Sequence, residues 1–165
     1  MAVMTLVLRP MTGDDVEAVL GMERSIFPDP WPEVFFHDEL AAPRRSYLVA
    51  EEDGEIIGYG GVMLVEEDAH ITNLAVAEPF RGRGVATRLF LALAAGALDD
   101  GAEHFTLEVR IGNLEARRLY SRFGFAPVGI HQGFYLDEDA LIMWAIDASG
   151  PEYRARLDEI REGLQ

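Results

Sequence analysis

The chain is predicted to adopt an α/β fold, and three observations carry that prediction. Strand-like segments alternate with segments of helical apolar spacing along its 165 residues. A Gly/Arg turn, Arg81-Gly82-Arg83-Gly84-Val85-Ala86, joins the strand-like Ile71 to Val76 to an apolar helix running on from Thr87. Finally, 49% of residues are hydrophobic and 10% aromatic, enough for a packed core in one domain.

Taken in order, Thr5 to Leu8 reads as a short first strand. A helix follows from about Gly13 to Arg24, with Thr12-Gly13-Asp14-Asp15 giving it a polar start that suits the helix dipole. Phe27-Pro28-Asp29-Pro30-Trp31-Pro32 cannot be helical throughout and is read as a loop. Glu33 to Leu40 is a short helix stopped near Pro43. Ser46 to Ala50 and Ile56 to Val65 pair across the Glu52-Asp53-Gly54 turn. Glu66-Glu67-Asp68 is a second turn, and His70 to Val76 the next strand.

Beyond the Gly/Arg turn and its helix, His104 to Ile111 is a strand. Asn113 to Phe123 is a helix with Asn113 as N-cap and Gly124 as its stop. Pro127 to Tyr135 and Ala140 to Ile146 form a hairpin across Asp137-Glu138-Asp139. Pro151 to Leu164 reads as a polar, amphipathic surface helix. The expected organisation is therefore a main domain over residues 1–147 and a helical tail over 148–165.

Composition narrows the function. Leu89 to Leu98 is apolar but too short to span a membrane, and Met1 to Leu8 lacks a signal-peptide pattern. Absence of cysteine excludes disulfides and thiol catalysis and leads to an expected cytoplasmic location. Net charge is −15, with 29 acidic residues and 14 basic ones that are all arginine. Such a balance argues against nucleic-acid binding and favours a cationic partner such as a basic peptide. A solubility effect is the plainer alternative. His37, His70, His104 and His131 show no ligand spacing, so no metal is expected, and His70 reads as a structural or edge residue.

The Gly/Arg turn is the clearest ligand signal. No acidic residue lies between Glu78 and Asp99, whereas three arginines do. Free N–H groups at the start of a helix, a favourable dipole and glycines that permit close approach make a cradle for an anion. A dinucleotide fingerprint would follow the first strand, and a P-loop needs a lysine that this chain lacks. A purely structural strand–helix turn is the alternative.

Read as a pattern, this turn matches Arg/Gln-x-x-Gly-x-Gly/Ala and resembles the acetyl-CoA signature of the GCN5-related N-acetyltransferases (GNAT). Ile71-Thr72-Asn73-Leu74-Ala75-Val76, Leu107-Glu108-Val109-Arg110 with Asn113, and Leu119-Tyr120 before Gly124-Phe125 are similar to the RimI-type ribosomal-protein alanine N-acetyltransferase branch. Pro30-Trp31, Tyr135, Glu138-Asp139-Ala140 and Met143 add to the likeness, which spans roughly Leu6 to Ile146. This resemblance implies a mixed, mostly antiparallel central sheet whose central strands splay apart around acetyl-CoA. On that reading, backbone groups of Leu74, Ala75 and Val76 hold the pantetheine arm. Arg81, Gly82, Arg83, Gly84, Val85 and Ala86 hold the pyrophosphate, and Asn113 bonds the cofactor while capping its helix.

Acetyl transfer needs a neutral amine, and an α-amino group has a reference pKa of about 7.7–8.0. Glu108 is the candidate base, acting directly or through water. It lies on the polar face of its strand, where a solvated glutamate paired with Arg110 is the alternative. Tyr120 is the candidate acid for the departing thiolate, and a core tyrosine is its alternative. The family likeness places the acceptor peptide at Trp31 and Tyr135, with Trp31 also readable as a packing residue. Phe134-Tyr135 stands where the family tends to have two tyrosines.

The activity expected is acetylation of a protein N-terminus, such as the alanine of a basic small-subunit ribosomal protein, by a monomer or weak dimer. A small-molecule amine acetyltransferase and a non-catalytic acetyl-CoA-binding module stay open as alternatives.

Overall fold

A computed structural model describes residues 5–164. Seven strands alternate with five helices: β1 (Leu6–Pro10), α1 (Val16–Ile26), α2 (Glu33–Ala41), β2 (Arg45–Glu52), β3 (Glu55–Val65), β4 (Asp68–Val76), α3 (Val85–Asp99), β5 (His104–Arg110), α4 (Leu114–Arg122), β6 (Ala126–His131), β7 (Ala140–Ala145) and α5 (Pro151–Glu162). The hydrogen-bonded order is β1-β2-β3-β4-β5-β7-β6. All its described pairings are antiparallel except β4 with β5. That parallel ladder covers Asp68↔His104 to His70↔Thr106, although both strands continue further.

Two compact units divide the chain. The first comprises the described residues through Met63 and Thr72–Ala94. Its β2 alternates as a strand with two buried faces must. Tyr47 and Val49 join Val16, Val19, Leu20, Phe36 and Tyr59 in one cluster, while Leu48 and Ala50 meet Ile57, Val85 and Leu89 in another. The α1 helix is preceded by a 3₁₀ turn, Gly13–Asp15, rather than starting at Gly13. Asp15 Oδ2 there accepts from the Thr12 N–H at 2.8 Å, and both its oxygens accept from Arg9 at 2.8 Å.

Leu64–Ile71 and the chain from Ala95 onward form the second unit. Phe105, Leu107 and Val109 alternate inward on β5, against His104, Thr106, Glu108 and Arg110 on the more open face. The helix expected over 151–164 forms as α5 and buries Tyr153 and Leu157. Its Tyr153 ring lies 5.9 Å from that of Phe105.

One strand is shorter than the sequence pattern suggests. β6 ends at His131 rather than Tyr135, because the ladder with β7 stops at His131↔Ala140 and Gly133 turns with φ 66°. Pro127 and a register shift between Pro127 and Gly129 interrupt this last strand of the sheet. Both features discourage pairing with another chain's strand.

Candidate active site

In the first unit the Gly/Arg turn closes β4 and opens α3. Gly82 and Gly84 both have φ 80°, in the left-handed region that glycine enters without steric cost. A Cβ on Gly82 would meet nothing within 4 Å, so this backbone faces open space. The turn thus leaves the Gly82 backbone open at the N-terminus of a fifteen-residue helix, a setting suited to an anion. Arg81 is exposed, but its Nε donates to the Val76 carbonyl at 2.9 Å and ties the turn to the strand. Arg83 lies over the Phe80 ring at 5.3 Å, with Nη1 3.5 Å from Glu52 Oε2.

The Pro-rich loop is anchored by a residue that sequence reasoning passed over. Glu23 is only 2% exposed, yet its carboxylate accepts from the Trp31 N–H at 2.9 Å, the Tyr59 hydroxyl at 2.5 Å and the Asn73 amide at 3.5 Å. The Trp31 ring packs 5.3 Å from Phe36 and 6.2 Å from Phe35. Trp31 is therefore a packing residue here, whatever else it touches. Glu23→Ala would leave buried donors without an acceptor, at a cost of about 3 kcal/mol. Chemical denaturation of this variant is expected to show that loss, with Glu23→Gln recovering much of it.

Glu108 and its surroundings belong to the second unit. The Glu108 side chain does not pair with Arg110. It meets His70, whose Nε2 lies 2.6 Å from Glu108 Oε2. The parallel ladder brings the two together, since His70 pairs with Thr106, two residues before Glu108. The hydrogen bond from His70 holds the Glu108 carboxyl below the usual carboxylate range, against the opposing effect of burial. An ionised carboxylate only accepts, so Nε2 carries the hydrogen. In the neutral ring Nδ1 is then the basic atom.

Arg110 instead serves the hairpin between β6 and β7. Its guanidinium sits 4.1 Å from the centre of the Tyr135 ring, contacts Asp137 at 2.5 Å and lies 3.6 Å from Glu138. Tyr135 also donates its hydroxyl to the Glu108 carbonyl at 3.3 Å, which fixes the hairpin over β5. On α4, Tyr120 is 6% exposed, 5.7 Å from Phe125. Burial raises its phenol well above the ordinary value, so it stays protonated. Asn113 caps α4, its Oδ1 accepting from the Ala116 N–H at 3.2 Å, and its Nδ2 amide is a separate donor group.

Among the described residues no group of three His, Asp or Glu side chains is placed to hold a metal, and no helix is long and apolar enough to cross a membrane. The first unit thus offers an anion cradle at a helix start, and the second, described by itself, a carboxylate–imidazole pair and a buried phenol.

Comparison with known proteins agrees with this chemistry. Residues 16–125 match the acetyltransferase (GNAT) family, and the chain belongs to it. It is an acetyl-CoA-dependent N-acetyltransferase with the GNAT fold and a mixed central sheet.

Individual relatives place it in the RimI-type branch. It is 40% identical, over 83% of its length and 93% of theirs, to a Bacillus subtilis protein provisionally described as a ribosomal protein bS18-alanine N-acetyltransferase. It is 33% identical to an N-alpha-acetyltransferase of Sulfolobus acidocaldarius, covering 84% of this chain and 90% of that one. Among solved structures, Ard1 of Thermoplasma volcanium superposes with a TM-score of 0.81 at 26% identity, over 86% of this chain and 97% of that one. Arabidopsis thaliana NAA60 in complex with acetyl-CoA gives 0.77 at 25%, over 86% and 99%.

Proposed function

We propose that this protein acetylates the α-amino group of a protein N-terminus, most specifically the alanine of a small-subunit ribosomal protein. The observation that carries the mechanism is the 2.6 Å contact between His70 Nε2 and Glu108 Oε2. A lone carboxylate held below its usual range is a poor acceptor for an ammonium proton. Coupled to an imidazole it becomes part of a pair with a basic Nδ1, and the developing imidazolium is stabilised by the charge behind it. Glu108 with His70 is thus the base, and the substrate amine is the nucleophile.

Acetyl-CoA supplies the activated thioester. The cradle from Arg81 to Ala86 would hold its pyrophosphate through backbone N–H groups, with Gly82 leaving the approach open. Backbone groups of Leu74, Ala75 and Val76 would hold the pantetheine arm, using the N–H of Val76 because its carbonyl already accepts from Arg81. Asn113 would contribute its Nδ2 amide. Tyr120, protonated through burial, would hand its proton to the sulfur as the amide forms.

Trp31 and Tyr135 would contact the acceptor. The acids on their loops, with a net charge of −15 overall, favour an α-ammonium followed by basic residues. The relatives' names support this acceptor class, since one concerns bS18 alanine and another an N-alpha-acetyltransferase. Residues 1–147 would carry the chemistry in the cytoplasm, as a monomer or weak dimer, with 148–165 a helical tail.

Turnover with peptides varied over their first four residues, read by mass spectrometry, tests the acceptor. Alanine followed by basic residues should be acetylated fastest, on the α-amine alone. A protein that left all peptides untouched but acetylated polyamines would be a small-molecule enzyme instead. CoA binding without turnover on any amine would mark a regulatory module.

A further inference from the structure

Glu52 is a carboxylate placed beside the anion cradle, where an attractive site for phosphate has no obvious use for one. It ends β2, and its side chain is only 16% exposed. Oε2 is buried and has no hydrogen-bond donor. Its cation, Arg83 Nη1, stands at 3.5 Å with a half-exposed side chain. The pair is therefore held by charge rather than by a good hydrogen bond. Arg83 lies between the two positive-φ glycines of the cradle.

We propose that Glu52 competes with the phosphates of acetyl-CoA for Arg83 and so sets how tightly the cofactor and its product are held. The inference rests on the reading of residues 81–86 as the pyrophosphate cradle. When a phosphate engages the Arg83 guanidinium, Glu52 loses its counter-charge while remaining largely out of water, and its own charge opposes the incoming anion. Part of the binding free energy is spent on that exchange. The same exchange favours release of CoA after transfer, because Glu52 takes Arg83 back as the phosphates leave.

Calorimetric titration of the purified full chain with CoA tests this without turnover. Glu52→Gln keeps the shape and removes the charge, so it should tighten CoA binding about threefold to tenfold, with the gain shrinking as salt rises. Arg83→Gln should weaken binding. In that background Glu52→Gln should give less than half its former gain, since the contested cation is gone.

Unchanged or weaker CoA binding by Glu52→Gln would overturn the proposal and make Glu52 a support for Arg83. An equal gain with and without Arg83 would also overturn it, leaving only general repulsion. Normal CoA binding by a variant carrying Gly82→Val and Gly84→Val, with Glu52 and Arg83 unchanged, would instead refute the cradle, a result separable from either.

Discussion

Glu108→Gln is expected to lower kcat by about 10²- to 10³-fold, the usual scale for losing a positioned base. The amide is nearly isosteric, so CoA binding should hardly change. What changes is the partner presented to His70. On the proposed mechanism, a carboxylate holds Nε2 as the donor and would stabilise the imidazolium formed when Nδ1 accepts the amine's proton. A neutral amide supplies much less of that stabilisation and can turn its own donor toward the ring.

His70→Gln should cost a similar factor, and the double variant little more, because the two residues act as one unit. The pH profile adds a check. With the Glu108 carboxyl held below its usual range, its own titration lies on the acid side of neutrality. The carboxylate's contribution to stability is present above the unfolded value of about 4.5 and is lost as pH falls through the lower folded value. Activity should therefore rise toward pH 8 with deprotonation of the substrate amine, with no Glu108 limb in that range. Full turnover by Glu108→Gln at pH 7.5 would remove it from the mechanism.

Tyr120→Phe is the second large effect, expected to reduce kcat by about 10²-fold with KM for acetyl-CoA nearly unchanged. The position is well packed, 6% exposed and 5.7 Å from Phe125, and loss of one hydroxyl leaves that packing intact. Thermal stability should move little, so a rate loss cannot be assigned to unfolding. Burial keeps the phenol protonated at any ordinary pH, so on the proposed mechanism its proton is in place to neutralise the sulfur as the C–S bond breaks. A variant that retained its turnover rate would return Tyr120 to the core.

Much of this was legible in the sequence because its signals are local. Period-two patterning marked β5, the N-cap and following apolar face marked α4, and the Gly/Arg turn stood out against an acidic chain. His70 was not legible as a functional residue. It lies 38 positions from Glu108, and only the short parallel ladder between β4 and β5 makes them neighbours. Glu23 did leave a trace. Val16, Val19 and Leu20 fix the inward face of α1, and position 23 continues that face with a charge, so a buried acceptor was implied. Arg110 illustrates the opposite error: adjacency on one strand face suggested a partner in Glu108, but the hairpin's acids reached it first.

The tail bears on all of this through the turn after α4. Gly124 has φ 83°, and a Cβ there would lie 3.2 Å from the Tyr153 ring and 3.1 Å from Arg156 Nε. Arg156 also donates to the carbonyl of Arg122, the last residue of α4. The helix that carries Tyr120 is thus clasped at its start by its own Asn113 and at its end by Tyr153 and Arg156 from the first turns of α5. The helix read from the sequence as a polar surface element is the far bracket of a two-point mounting. A fusion that pulls on the C-terminus loads the very helix whose phenol is proposed as the acid.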